Sequence, residues 1–179
     1  MKGTVGWADQ RVSSDRSEHD KESVDDGDDD EDPFQTSLHE LIHSSLNENV
    51  PIDIMLAEVR KAQVDLDRDQ DDSVMGFSVA LVMYPLRVDD EAGTKYGQRV
   101  RDLFARFSKL IGRLVGGGKN ESERRRLALE AVEEVACGNG VVMAKAADIV
   151  FSMYEAGVVR EEDVRRWHRE SSLLGDIEV

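Results

Sequence analysis

Val100-Arg101-Asp102-Leu103-Phe104-Ala105-Arg106-Phe107-Ser108-Lys109-Leu110-Ile111-Gly112-Arg113-Leu114 is the clearest helical signal in the chain. Its apolar side chains Val100, Leu103, Phe104, Phe107, Leu110, Ile111 and Leu114 recur in steps of three and four, which returns each to the same side of an α-helix. Arg101, Asp102, Arg106, Lys109 and Arg113 fall on the opposite side. A helix of this kind is stable when its apolar stripe is covered, so the rest of the chain must supply neighbours.

Those neighbours are legible on both sides. Leu38, Leu41, Ile42 and Leu46 share one helical face, Met55, Val59, Ala62 and Leu66 a second, and Val74, Phe77, Ser78 and Leu81 a third. Downstream, a helix is expected from Glu121 to about Ala136, another carrying Val142, Ala146, Ile149, Val150 and Met153, and a last one reaching Trp167. Turn chemistry places connections at Asn49-Val50-Pro51, at the acidic run Asp65 to Asp72 and at Gly116-Gly117-Gly118. Pro85 lacks an amide N–H and is expected to kink or end the third helix. No stretch alternates as a half-buried strand does. Seven helices with short connections predict an all-α fold, with antiparallel pairs stacked as a HEAT-like, ARM-type α-solenoid.

The 179 residues carry 38 acidic side chains against 23 Lys and Arg, a net charge of -15. This excess works against nucleic-acid binding, which needs clustered cations for the phosphates, and points to a basic protein partner. It is densest in residues 1–33, where twelve acidic residues face four basic ones and Val5, Trp7, Val12 and Val24 are almost the only apolar side chains. Burial there cannot offset the ordering entropy. The expected organisation is a disordered acidic tail or linker over 1–33, a helical domain over 34–171 and a short carboxyl-terminal tail over 172–179. The single cysteine, Cys137, excludes an internal disulfide or a multi-cysteine zinc module and is expected to be a buried thiol. No apolar run is long enough to span a bilayer, and the first residues lack a signal peptide's apolar core; a soluble, cytoplasmic protein without membrane contact is expected.

Two strings touch known chemistry. His39-Glu40-Leu41-Ile42-His43 has the H-E-x-x-H spacing that puts two imidazoles one turn apart to bind zinc, with a glutamate to activate water. Asn49 stands where a third histidine could follow, and Glu58 is the nearest carboxylate substitute, so zinc-dependent hydrolysis is a distant alternative to histidines at the boundary of an ordinary helix. Gly116-Gly117-Gly118-Lys119-Asn120 lacks both the first glycine and the Ser or Thr of a phosphate-binding loop, Arg113 and Asn120 standing in those places. It reads as a helix connector, and no cofactor or metal is expected.

The stretch Met143 to Trp167 says most about function. A helix through Tyr154-Glu155 ends at Gly157, and Glu161, Glu162 and Asp163 open the next helix, where carboxylates suit the positive end of the dipole, ahead of Trp167. An aromatic-acidic pair, a turn, an acidic cluster and a tryptophan in this order resemble the two-tryptophan (W-two) domain of translation initiation factors. That family includes the epsilon subunit of the guanine-nucleotide exchange factor for initiation factor two and the carboxyl-terminal domain of initiation factor five. The resemblance implies that Tyr154, Glu155, Glu161, Glu162, Asp163 and Trp167 dock the lysine-rich segment of the beta subunit of initiation factor two.

The front half adds to it. Phe34 after the acidic linker, then Ile52-Asp53 and Leu56-Ala57-Glu58-Val59 before Arg60-Lys61-Ala62, is similar to the start of the epsilon catalytic domain. The glutamate needed there for exchange corresponds to Glu58, and the acidic or amide position at the head of its helix to Asp53. The implied partners are the gamma-subunit GTPase and the beta subunit of initiation factor two and, in a longer chain, other exchange-factor subunits. The sequence departs from the family at Ala57, where leucine is usual, at Phe107 or a neighbour in place of a mid-domain tryptophan, and in lacking a second acidic-aromatic box. A non-catalytic module like that of initiation factor five is therefore the alternative. Without the family, Glu58 reads as a partner for Lys61 one turn away, Asp53 as a helix-start carboxylate and Trp167 as core.

Overall fold

The structure, a computed structural model, describes residues 32–88, 92–116 and 119–171. Among these the chain forms helices alone: α1 (Pro33–Glu48), α2 (Ile52–Asp65), α3 (Gln70–Val88), α4 (Ala92–Val115), α5 (Glu121–Gly138), α6 (Gly140–Met143), α7 (Ala146–Glu155) and α8 (Glu161–Glu170). Most of the tail expected over 1–33, and the one over 172–179, lie outside the described residues. The last residue of the former, Pro33, opens α1, and the carboxylate of Asp32 before it caps the helix by accepting the Phe34 N–H at 3.0 Å. One guanidinium nitrogen of Arg68, Nη2, also donates to both carboxylate oxygens of Asp32, each at 3.0 Å, tying the start of α1 to the α2–α3 turn.

Helix α3 is the centre of the packing, touching α1, α2, α4 and α5. Its composition explains this: Val74, Phe77, Ala80, Leu81 and Val82 are all buried, so it has apolar side chains on more than one face. Gly76 allows α1 to come close, because a Cβ there would stand 3.0–3.1 Å from Phe34, Gln35 and Leu38. On α4 the stripe of seven apolar side chains is buried throughout, and Phe107 meets Phe77 edge to face at 5.9 Å. Each such side chain contributes about 1.5–3 kcal/mol on leaving water. Helices α5, α7 and α8 close the other end, α7 against α4 and both α7 and α8 against α5.

Several expectations are corrected. Among the described residues eight helices stand where seven were expected, because the sixth is two. The Asn139 side chain accepts the N–H groups of Val141 and Val142 at 3.0 and 3.2 Å and starts the separate α6 turn. Helix α3 neither ends nor breaks at Pro85 but runs to Val88. Three residues before the proline, the Val82 carbonyl accepts the Tyr96 hydroxyl at 2.9 Å, a cross-helix bond inside the turn that proline disrupts. Asp71 and Asp72, assigned to a connection, lie in the first turn of α3. Cys137 is exposed, since the buried face of α5 passes through Val135 and Ala136 and leaves the next residue outside.

Candidate functional site

Helix α2 starts where Pro51 fixes an extended backbone after the left-handed Asn49, and its Met55, Leu56 and Val59 face inward. That register leaves Glu58 exposed on the side towards α1. There the two helices bound a groove of about 560 Å³, with Glu40 of α1 and Glu58, Lys61 and Asp65 of α2 among its lining residues. Glu58 makes no ion pair with Lys61 or any other group among the described residues. Asp53 is elsewhere on the same helix. Five residues before Glu58, it points to α4 and is ion-paired with Arg113. The two residues offered as catalytic are not brought together.

The α7–α8 hairpin is built as its sequence asks. Gly157 takes the left-handed conformation, φ 70°, and reverses the chain. From α5, Arg125 donates to the carbonyls of Gly157 and Val158 at 3.3 and 2.6 Å and to Glu121 at 2.8 Å, so the turn is held from beneath. Glu121 also receives Arg160 at 2.8 Å. Hydrogen bonding from Arg125, then the charges of Arg125 and Arg160, hold its carboxyl below the usual range.

The six residues offered as a docking surface divide into two kinds. Asp163 is buried, 4% exposed. Its carboxylate accepts the Arg160 N–H at 3.0 Å and the Ser122 hydroxyl at 3.1 Å, which makes it an anchor of the α8 start and withdraws it from the surface. Trp167 is 6% exposed, and its indole N–H donates to Glu133 at 3.2 Å. Tyr154, Glu155, Glu161 and Glu162 are exposed. Each of these carboxylates already has an arginine: Glu155 has Arg101 at 3.9 Å, Glu161 has Arg165 at 2.5 Å and Glu162 has Arg160 at 4.0 Å. Tyr154, Phe151 and Met143, all about half exposed, instead line an apolar groove of about 770 Å³ between α7 and α8, with the edge of Trp167 in its wall. Sequence reasoning missed Phe151 and Met143, whose only signal is that they fall off the buried face of their helices.

The zinc-motif histidines lie on the α3 side of α1. His39 is buried and stacked on Tyr84, not at the solvent boundary, and the His43 Nδ1 lies 2.9 Å from the Tyr84 hydroxyl. Glu40 faces the other way, into the groove with α2. Among the described residues no group of three His, Cys, Asp or Glu is placed to hold a metal ion. No helix among them is long and apolar enough to cross a membrane. Comparison with protein-family models and with curated proteins returns no match to this chain.

Proposed function

We propose that the chain acts in translation initiation, as a cytoplasmic W-two-type helical module that promotes GDP release from the GTPase of initiation factor two. The observation that carries this reading is Glu58: the position that the resemblance makes essential for exchange is an exposed carboxylate at the mouth of a groove, without an ion-pair partner among the described residues. Contacts of α1 with α3, α2 with α4 and α3 with α5 follow the second-neighbour pattern of stacked helix pairs and support the HEAT-like solenoid form. The helix–turn–helix fold of 146–170, with its tyrosine exposed and tryptophan buried, supports the acidic-aromatic box.

An exchange factor makes no covalent bond. It binds the nucleotide-free GTPase more tightly than the GDP-bound form, and by linkage lowers GDP affinity by the same factor. Glu58 would act by competing with the groups that hold phosphate or magnesium, while Tyr154 and the exposed carboxylates Glu155, Glu161 and Glu162 would dock the lysine-rich beta-subunit segment by exchanging arginine partners. The alternative, a non-catalytic module like that of initiation factor five, draws on one observation: Asp53, the second exchange position, is already held by Arg113. Affinity for the nucleotide-free and GDP-bound GTPase separates the two. Exchange predicts at least about tenfold tighter binding to the nucleotide-free form; equal affinities would leave only docking.

A further inference from the structure

The groove between α1 and α2 differs in charge pairing from every other acidic surface described above. Its floor is apolar, formed by Leu38 and Val59, which are buried, and by the half-buried Leu41 and Ala62. Leu66 at its end is exposed, a large apolar side chain left facing water. Three carboxylates rim it, Glu40, Glu58 and Asp65, against a single cation, Lys61. None of the three has an ion-pair partner among the described residues, whereas Asp53, Asp71, Glu121, Glu155 and Glu161 are each matched with an arginine.

We propose that this groove receives a cationic, amphipathic helical segment of a partner protein. An apolar floor needs an apolar face to cover it, and carboxylates beside such a floor are best neutralised by cations that arrive on the same segment. A single metal ion is a poor match, because the carboxylates do not converge into a group of three ligands. Glu58 and Asp65 stand seven residues apart, on one face of α2 and about 10.5 Å along its axis at 1.5 Å per residue. A bound helix with lysine or arginine two turns apart spans that distance. The chain's own residues 1–31 are excluded as occupant by their strong negative charge. The inference rests on the exchange reading only for the identity of the protein that carries the segment.

The test uses the full chain and no GTPase, so it fails separately from that reading. The probe is a fluorescein-labelled helical peptide of leucines on one face and lysines on the other, with the same peptide carrying glutamates for lysines, and an unstructured oligolysine of equal charge, as comparisons. Expected are binding of the leucine–lysine peptide alone, weakening by about tenfold in the pair Glu40→Lys with Asp65→Lys, and little change in Glu134→Gln with Asp148→Asn, exposed carboxylates that line neither groove. Ala62→Arg, which puts a long cation on the half-buried part of the floor and leaves Leu38 and Val59 unchanged, should weaken binding to the same extent, with unfolding curves confirming that each variant is folded. Equal binding of oligolysine, or equal loss in Glu134→Gln with Asp148→Asn, would overturn the proposal.

Discussion

Three side chains give direct tests. Trp167 fills the junction of α8 with α5, and truncation to alanine is expected to cost about 3–5 kcal/mol in urea unfolding. Trp167→Phe keeps most of the volume and loses the bond to Glu133, for about 1 kcal/mol. Ser78 is buried in α3 with its hydroxyl unpartnered among the described residues, so Ser78→Ala should be neutral or stabilise by up to about 1 kcal/mol. The carboxyl of Glu121 is held low in the folded state. Its contribution is therefore present above the unfolded carboxylate pKa of about 4.3 and lost as pH falls through the lower folded value. Glu121→Gln should unfold with a shallower pH dependence below about pH 5 than the wild type, read from thermal midpoints. Trp167, which the resemblance assigned to the docking surface, is buried, as its reading without the family had it. The division among Glu161, Glu162 and Asp163 was not legible, since consecutive carboxylates look alike until Ser122, forty-one residues away, meets one of them.

The helices were the most legible part of the chain. Their stripes are set by local periodicity, and α4, α5, α7 and α8 lie where the apolar spacing puts them. Differences occurred where the apolar spacing carried no mark of them: α3 continues through Pro85 with the Tyr96 hydroxyl bonded to the Val82 carbonyl, and the chain turns at Ala144 and Lys145 between α6, capped at its start by Asn139, and α7. Close approach of α1 to α3 was likewise invisible, although it leaves a testable mark. Gly76→Ala puts a methyl group 3.0–3.1 Å from three α1 side chains and is expected to destabilise by about 1–3 kcal/mol, against a gain in intrinsic helix propensity of about 1 kcal/mol. If unfolding midpoints rise in Gly76→Ala, the α1–α3 contact is looser than described. In the α7–α8 turn, Gly157→Ala must hold a left-handed backbone at φ 70°, costing about 1–2 kcal/mol.

Taken together, the described residues form an acidic helical unit, with its pairing of charge unevenly distributed. Glu155, Glu161 and Glu162, which the sequence singled out, are matched internally by arginines, while Glu40, Glu58 and Asp65 along the α1–α2 groove have no ion-pair partner among the described residues. Net charge was readable from composition; which charges are already satisfied depends on contacts between helices far apart in sequence, such as Arg101 with Glu155. Binding that relies on the open carboxylates should weaken steeply between about 50 and 200 mM salt, because surface attraction is screened over about 10 Å. The measurement that bears most directly on the proposed activity is release of labelled GDP from initiation factor two, with the wild-type chain and with Glu58→Ala at matched concentration. Accelerated release that is lost in Glu58→Ala, with an unchanged unfolding midpoint, is the predicted result. No acceleration by the wild-type chain, or acceleration undiminished in the variant, would contradict it.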